Sequence, residues 1–185
     1  MMRKLNWRNK YEDYNWIYEN DASKDEPGNS RFILGTEGDN PLICFGVNPS
    51  TGYHKEPDAT LQRLEEYACK HGYDSWIMLN LYPQRATNPN DLHKNFCPML
   101  HYKNIEVISE TLERVRKKQS YKNLLLWGAW GKLIYKRDYL STCLDEIKDK
   151  AQGFEWYSHL GNGAHLLSPL PKGSKFYKKE LTPLL

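Results

Sequence analysis

Cysteine is scarce in this chain of 185 residues. The 4 cysteines are Cys44, Cys69, Cys97 and Cys143, and no two of them form a CxxC pair. Zinc and iron–sulfur sites are therefore not expected, although scattered ligands can still converge in space. No disulfide framework is indicated either, which favours a reducing compartment. We expect a cytoplasmic protein that uses neither a metal nor another cofactor.

The chain also lacks long hydrophobic runs and an excess of one charge. No apolar stretch approaches the length of a membrane span, and the first residues, Met1 to Arg8, lead into polar sequence rather than a secretory signal. Lys and Arg number 26 against 23 Asp and Glu, so the formal net charge is +3 and the isoelectric point is near 8.5. We expect no membrane partner, and this balance neither demands nor excludes nucleic acid.

Aromatic residues are abundant, at 13% of the chain with 6 Trp and 13 Tyr. Much of the core and of any binding surface must therefore be aromatic. The length suits a single domain spanning residues 1–185, with an N-terminal arm at 1–30 and an α/β core at 31–185. In the arm, Tyr14, Trp16 and Tyr18 alternate with polar residues, which suits a peripheral strand or a segment packed across the domain.

Three continuous apolar runs, at residues 42–47, 75–80 and 123–127, are typical of strands buried on both faces of a parallel sheet. Helical stripes separate them, and the shorter apolar runs at 31–34, 154–158 and 165–167 suggest further strands. The helices are predicted near residues 58–72, 105–118 and 132–150, the first of them with Asp58 as its N-cap rather than as a catalytic carboxylate. The alternation predicts a three-layer α/β/α sandwich around a central, mainly parallel four-stranded sheet.

Four of the predicted strands end in distinctive loops. The loops are Gly46-Val47-Asn48-Pro49, Leu79-Asn80-Leu81-Tyr82, Trp127-Gly128-Ala129-Trp130 and Leu167-Ser168-Pro169-Leu170. The carboxyl ends of parallel strands meet at one edge of a sheet, where ligands bind in open α/β folds. The sequence therefore predicts that these loops frame one pocket. For the first of them, the alternative is a plain turn followed by a helix cap.

This ordered set of motifs resembles the uracil-DNA glycosylase superfamily, over about residues 42–177. It is closer still to an uncharacterised family, a domain of unknown function built around an Asn-Pro-Ser-Thr loop, which here is Asn48-Pro49-Ser50-Thr51. The resemblance implies a uracil-DNA glycosylase-like fold. It also implies DNA, single- or double-stranded, as the partner, and hydrolysis of the N-glycosidic bond of a flipped-out base without a cofactor.

The loop at Asn48 is similar to the water-activating loop of the mismatch-type thymine/uracil glycosylases, which have Gly-Ile-Asn-Pro there. The resemblance makes Asn48 the catalytic residue: its amide takes up no proton at neutral pH, but it can position a water while the base departs. The implied base-binding residues are Gly46, Val47, Pro49, Ser50, Tyr53 and Asn80. Asn80 offers the donor and acceptor that suit a pyrimidine edge, and the alternative is that it only turns the chain out of its strand. Tyr53 or Phe45 would stack on the flipped base, unless either belongs to the core.

The C-terminal motif resembles the loop that enters the minor groove. Ser168 would contact a phosphate, Pro169 would stiffen the turn and Leu170 would wedge into the vacated stack. Lys172 and Lys175 would contact further phosphates. The alternative is a surface proline turn with solvated lysines. Arg85, in the polar loop after Asn80, is a further candidate for a phosphate or a base substituent.

Two positions depart from the uracil enzymes. Leu166 stands where those enzymes carry a histidine that stabilises the leaving base; His165, one residue away, is the candidate substitute, although neighbouring strand residues face opposite sides. Ser50 stands where they have a tyrosine that excludes thymine. A smaller residue there predicts a roomier pocket and makes a bulkier or modified base plausible.

The resulting expectation is a monomeric, monofunctional DNA glycosylase acting on a uracil-like, mismatched or modified base. Its biological setting would be base excision repair or defence against the modified DNA of phages. Two alternatives stay open. One is a catalytically inactive nucleic-acid-binding protein of the same fold, and the other is an α/β enzyme that processes free nucleotides.

Overall fold

The computed structural model describes residues 14–22, 28–52, 54, 56–118, 125–158 and 182–183. The strands in these ranges are β1 (Trp16–Asn20), β2 (Arg31–Thr36), β3 (Pro41–Gly46), β4 (Ser75–Asn80), β5 (Leu125–Gly128), β6 (Glu155–Ser158) and β7 (Thr182–Pro183). The α-helices are α1 (Ala59–Lys70), α2 (Pro98–Lys117) and α3 (Tyr139–Lys150), and short 3₁₀ helices occupy Pro89–Asp91 and Gly131–Lys136.

The described strands form one mixed sheet in the order β1-β2-β4-β3-β5-β6-β7. The four inner strands β4, β3, β5 and β6 run parallel, whereas the pairings of β1 with β2, β2 with β4 and β6 with β7 are antiparallel. The predicted α/β class is confirmed. The predicted four-stranded sheet is wrong in its extent, because antiparallel strands extend the parallel set on both sides.

The peripheral strand predicted from the alternation of Trp16 and Tyr18 is confirmed as β1. It pairs with β2 in a register that sets Trp16 opposite Thr36 and Tyr18 opposite Leu34. All five of its residues are half-buried, whereas β2 is buried throughout. The N-terminal segment therefore contributes the edge of the main sheet.

Helices cover both faces of the sheet, as the alternating side chains of β3 make clear. Ile43 and Phe45 belong to a core that includes residues of α2 and α3. Leu42 and Cys44 belong to a second core, with Leu61 and Leu64 of α1. A strand packed on both faces needs apolar residues at consecutive positions, which explains the continuous apolar run.

The boundaries of α1 follow local rules. Asp58 is its N-cap: Oδ1 of the carboxylate accepts hydrogen bonds from the backbone N–H groups of Thr60 (2.9 Å) and Leu61 (3.0 Å). Beyond the C-terminal end, Gly72 adopts a left-handed backbone conformation with φ of 78°, which glycine accepts without strain. The predicted cap and stop are both confirmed.

The continuous helix predicted over residues 132–150 is wrong in its first part. The chain forms a 3₁₀ helix, becomes extended at Arg137 (φ −143°, ψ 135°) and only then enters α3. The guanidinium of Arg137 donates hydrogen bonds to the carbonyl oxygens of Asn90, Leu92 and His93. These bonds are to a distant loop, so helical periodicity in the sequence does not reveal them.

Thiol reactivity provides a direct test of this core. Cys44 and Cys143 are buried, which raises the pKa of both thiols, that of Cys143 to about 12, whereas Cys69 is exposed. Since the thiolate is the reactive form, we expect Cys69 to react at once with a thiol reagent in the native state, and Cys44 and Cys143 to react only after unfolding. Immediate reaction of all cysteines would contradict this packing.

The raised thiol pKa values also make stability depend on pH. As the pH rises above the ordinary thiol pKa, Cys44 and Cys143 lose their protons in the unfolded chain before they do so in the folded one, so the free energy of unfolding must fall.

Candidate functional site

The candidate site lies where the order of the parallel strands reverses. From β3 the chain crosses to β4 on one side of it, and then returns to place β5 on the other side. Open α/β sheets bind their ligands at such a switch point, outside the carboxyl ends of the strands. A cavity of about 260 Å³ lies there, and its wall includes Gly46 at the end of β3, Val47 and Asn48 directly after it, and Ala129 directly after β5. We call it the switch-point cavity.

The loop after β3 is held by backbone hydrogen bonds that prolong its pairing with β4. The N–H groups of Leu81 and Tyr82 donate to the carbonyl oxygens of Gly46 and Val47, each at 2.9 Å. The N–H of Ala86 donates to the carbonyl of Pro49, also at 2.9 Å. The loop after β3 and the loop after β4 therefore lie side by side, as predicted. These hydrogen bonds fix the backbone that carries the Asn48 side chain.

The side-chain amide of Asn48 has a defined orientation. Its Nδ2 donates to the carbonyl oxygens of Pro49 (2.9 Å) and Ala86 (2.8 Å). Both partners only accept hydrogen bonds, so the nitrogen must face them and Oδ1 must face away. No hydrogen bond to Oδ1 comes from the described part of the chain. Asn48 is one of the residues that line the switch-point cavity, and its Oδ1 is an oriented acceptor with no donor among the described residues.

Ser50 and Asp58 form a second polar group in the cavity wall. The Ser50 hydroxyl donates a short hydrogen bond to Oδ2 of Asp58, while Oδ1 caps α1. The carboxylate thus accepts from three donors and joins the start of α1 to the loop after β3. The prediction of Asp58 as a helix cap is confirmed, and its position in the cavity adds a negative charge to the site.

Asn80, the last residue of β4, is fully buried and is not one of the residues that line the switch-point cavity. Neither Nδ2 nor Oδ1 of its amide has a hydrogen-bond partner among the described residues. A Cβ built on Gly46 would lie 3.0 Å from Oδ1 of Asn80 and 2.7 Å from Cε of Met78, so glycine is what leaves room there. Asn104 of α2 fixes the strand end by donating to the carbonyl of Asn80 at 2.9 Å. Buried amides without partners are rare, so this one is a candidate for ligand contact.

Arg85 supports the loop after β3 from outside the cavity. Its Nη1 donates to the carbonyl oxygens of Ser50 (2.8 Å) and Gly52 (3.2 Å), and its Nη2 donates to the hydroxyl of Tyr18 (3.1 Å). Through these contacts Arg85 helps to position the loop after β3. The role of Arg85 in binding DNA remains a prediction.

Arg31, the first residue of β2, is a cavity residue that sequence reasoning missed. It forms part of the cavity wall, is only 2% exposed, and donates from Nη1 to the carbonyl of Gly52 at 2.5 Å. Burial, and then the like charge of Arg85, lower its pKa to about 10, while Asp58 and Tyr18 act in the opposite direction. The guanidinium therefore remains charged at neutral pH. In the sequence, the only sign of this role is that a cationic residue precedes an apolar strand, and the same pattern is typical of an exposed arginine.

The other predicted residues divide between the cavity, the core and the undescribed part of the chain. Gly46, Val47 and Ser50 line the cavity, and Pro49 is buried next to them. Of the two roles considered for Phe45, the structure shows the core one, since its ring is buried against Trp156 on the face of α2 and α3. The predicted site residues Tyr53, His165, Ser168, Pro169, Leu170, Lys172 and Lys175 lie outside the described residues.

The described ranges contain no group of three or more His, Cys, Asp or Glu side chains able to hold a metal ion. Among the helices described, none has both the length and the apolar composition needed to cross a membrane.

Comparison with known proteins gives one match. The family described as "Protein of unknown function (DUF1643)" matches residues 31–166, a span that includes the whole switch-point cavity. No curated protein and no solved structure matches the chain.

Proposed function

The chain belongs to the DUF1643 family of proteins of unknown function, and we propose that it is a DNA glycosylase that hydrolyses the N-glycosidic bond of a flipped-out base. The observation that carries the proposal is the orientation of Asn48, whose Nδ2 is held by two carbonyl oxygens so that Oδ1 faces away from them. The resemblance of the Gly46-Val47-Asn48-Pro49 loop to the water-activating loop of mismatch-type glycosylases is the second support.

In the proposed mechanism the bond to the base breaks first. The C1′–N bond breaks with its electron pair going to the base, which leaves an oxocarbenium-like sugar. A water that donates a hydrogen bond to Oδ1 of Asn48 then attacks C1′, and its proton is released as the new C–O bond forms. Asn48 takes up no proton at any point, so it acts by positioning the water. A residue that positions the water without taking up its proton is sufficient when the bond to the base has largely broken before the water attacks.

Asn80 is the proposed reader of the base. Its amide offers two donor hydrogens and an acceptor oxygen, and a pyrimidine edge supplies complementary groups. The amide has no partner among the described residues, and the absence of a Cβ at Gly46, which lines the cavity, lets Oδ1 of Asn80 and Cε of Met78 approach this strand end closely. Ser50, hydrogen-bonded to Asp58, occupies less space than the tyrosine of the uracil enzymes, which favours a modified or mismatched base.

The test is a panel of labelled oligonucleotides, single- and double-stranded, treated with protein and then with alkali to break abasic sites. The panel contains uracil, mismatched thymine, hypoxanthine, and hydroxymethylated or glucosylated cytosine. We expect cleavage of at least one substrate by the wild type and none by Asn48→Ala. If the wild type binds DNA with the usual salt dependence but cleaves no member of the panel, the inactive nucleic-acid-binding alternative is favoured instead.

A second candidate function is the processing of a free nucleotide. The observation in its favour is Arg31, a buried cation in a cavity large enough for a small ring or an anionic group. It predicts turnover of mononucleotides in the absence of DNA. It also predicts unchanged turnover when Leu170, the proposed wedge, is replaced by alanine.

A further inference from the structure

The switch-point cavity contains a buried guanidinium, that of Arg31, which forms no ion pair with any described residue. Its Nε has no hydrogen-bond partner among those residues either. The only hydrogen bond of its guanidinium in that part of the chain is the one to the Gly52 carbonyl. Arginines are almost never fully buried unless they are paired, because removing an ion from water is costly. A missing partner is therefore implied.

The charged side chains near Arg31 do not provide the missing counter-ion. Arg85 adds a second cation that repels the first, and Asp58 is the carboxylate that opposes this repulsion. The two oxygens of Asp58 already accept hydrogen bonds from Ser50 and from two backbone N–H groups of α1. Among the described groups that act on Arg31, a second guanidinium therefore opposes the one carboxylate, and that carboxylate already accepts three hydrogen bonds.

The cavity is suited to a small anion in size and in hydrogen-bonding groups. Its volume of about 260 Å³ lies just below the range of drug-sized pockets, about 300–1,000 Å³. Thr60, which carries a hydroxyl, lines the same cavity as Arg31 and Asp58. Guanidinium groups match oxyanions in geometry as well as in charge.

We propose that the switch-point cavity binds an oxyanion, a phosphate or carboxylate group of a ligand, with Arg31 as its principal contact. The cavity binds one oxyanion group at a time, and Asp58 remains the N-cap of α1 when the anion is bound. This inference does not depend on glycosidic cleavage, since binding is measured without any reaction.

The test compares thermal unfolding midpoints in sodium phosphate, acetate and chloride at equal ionic strength. With phosphate about 100-fold above its Kd, we expect the wild-type midpoint to lie about 5 °C or more above the chloride value. A rise in phosphate alone would identify a phosphoryl group, and a rise in acetate as well would include carboxylates. Calorimetry with deoxyuridine monophosphate and deoxyuridine extends the comparison: we expect at least tenfold tighter binding of the nucleotide. Equal midpoints in all three salts, or equal affinities for the two probes, would overturn the proposal.

Variants assign the effect to Arg31. Arg31→Gln is expected to abolish the phosphate shift, and Arg31→Lys to keep part of it. The matched control is Arg137→Gln, which removes an arginine that binds loop carbonyls outside the cavity and should leave the shift intact. Should Arg31→Gln fail to fold, Thr60→Glu provides the same test, because its carboxylate would compete with the anion and abolish the shift. A phosphate shift that persists in Arg31→Gln or in Thr60→Glu would show that the anion binds elsewhere.

Discussion

Asn48→Ala is expected to lower the rate of base excision by about 10²- to 10³-fold, the range found when one positioned hydrogen-bonding group is removed from an active site. The alanine removes the Oδ1 acceptor that would orient the attacking water. It also removes two hydrogen bonds to the carbonyls of Pro49 and Ala86, so a loss of roughly 1–2 kcal/mol in unfolding free energy should accompany it. Single-turnover cleavage of the best substrate in the panel, at saturating protein, measures the rate separately from binding.

The matched control is Asn40→Ala. Asn40 is an exposed asparagine next to the opposite end of β3, where its Nδ2 donates to the carbonyl of Gly72 at 3.1 Å. Its removal deletes an amide of the same kind at a distance from the cavity, so cleavage should be unchanged. Equal losses in the two variants would indicate a general effect on folding, and an undiminished rate in Asn48→Ala would remove Asn48 from the mechanism.

Trp127→Ala is expected to cause the largest loss of stability, about 3–5 kcal/mol, as for other buried aromatic residues. Trp127 in β5 is 1% exposed, and its ring lies 4.7 Å from that of Tyr67 of α1. It belongs to the core between the sheet and α1, so alanine would leave a cavity under the helix that carries Asp58 and Thr60. Native domains are stable by only about 5–15 kcal/mol, and the variant should therefore be close to unfolding at moderate temperature.

Urea titration measures this effect. The midpoint should fall with little change in the slope, because the surface exposed on unfolding stays nearly the same. The control is Tyr135→Ala, which removes an aromatic side chain that is 83% exposed and should shift stability by no more than about 0.5 kcal/mol. A small effect of Trp127→Ala would contradict the packing of α1 on β5.

Local sequence signals predicted the parts of the fold that depend on neighbouring residues. The apolar runs became β3, β4 and β5, and the Asp58 cap and Gly72 stop delimit α1. The loop at Asn48 was also predicted, because a buried run ending in Asn-Pro-Ser-Thr has a clear boundary. The approach of the Asn48 and Asn80 loops followed from the expectation of parallel strands.

The break before α3 and the antiparallel edges of the sheet were decided by distant contacts. Arg137 becomes extended where it binds carbonyls of a loop more than forty residues earlier in the chain. The pairing of β2 with β4 joins residues that no local pattern brings together: Leu34 lies opposite Met78. Both features arise from long-range pairing, about which helical or strand periodicity carries no information.

The sequence alone determined the class of the fold, the buried strands of its centre and the position of the Asn48 loop at the end of one of them. These depend on hydrophobic periodicity and turn chemistry, which act over a few residues. Only the tertiary structure decided that Arg31, Asp58 and Asn48 share one cavity, and that Arg31 is buried there without an ion pair to any described residue. The reason is physical: burial and the balance of charge are properties of the surroundings, and those of Arg31 come from strands, loops and a helix that are far apart in the chain.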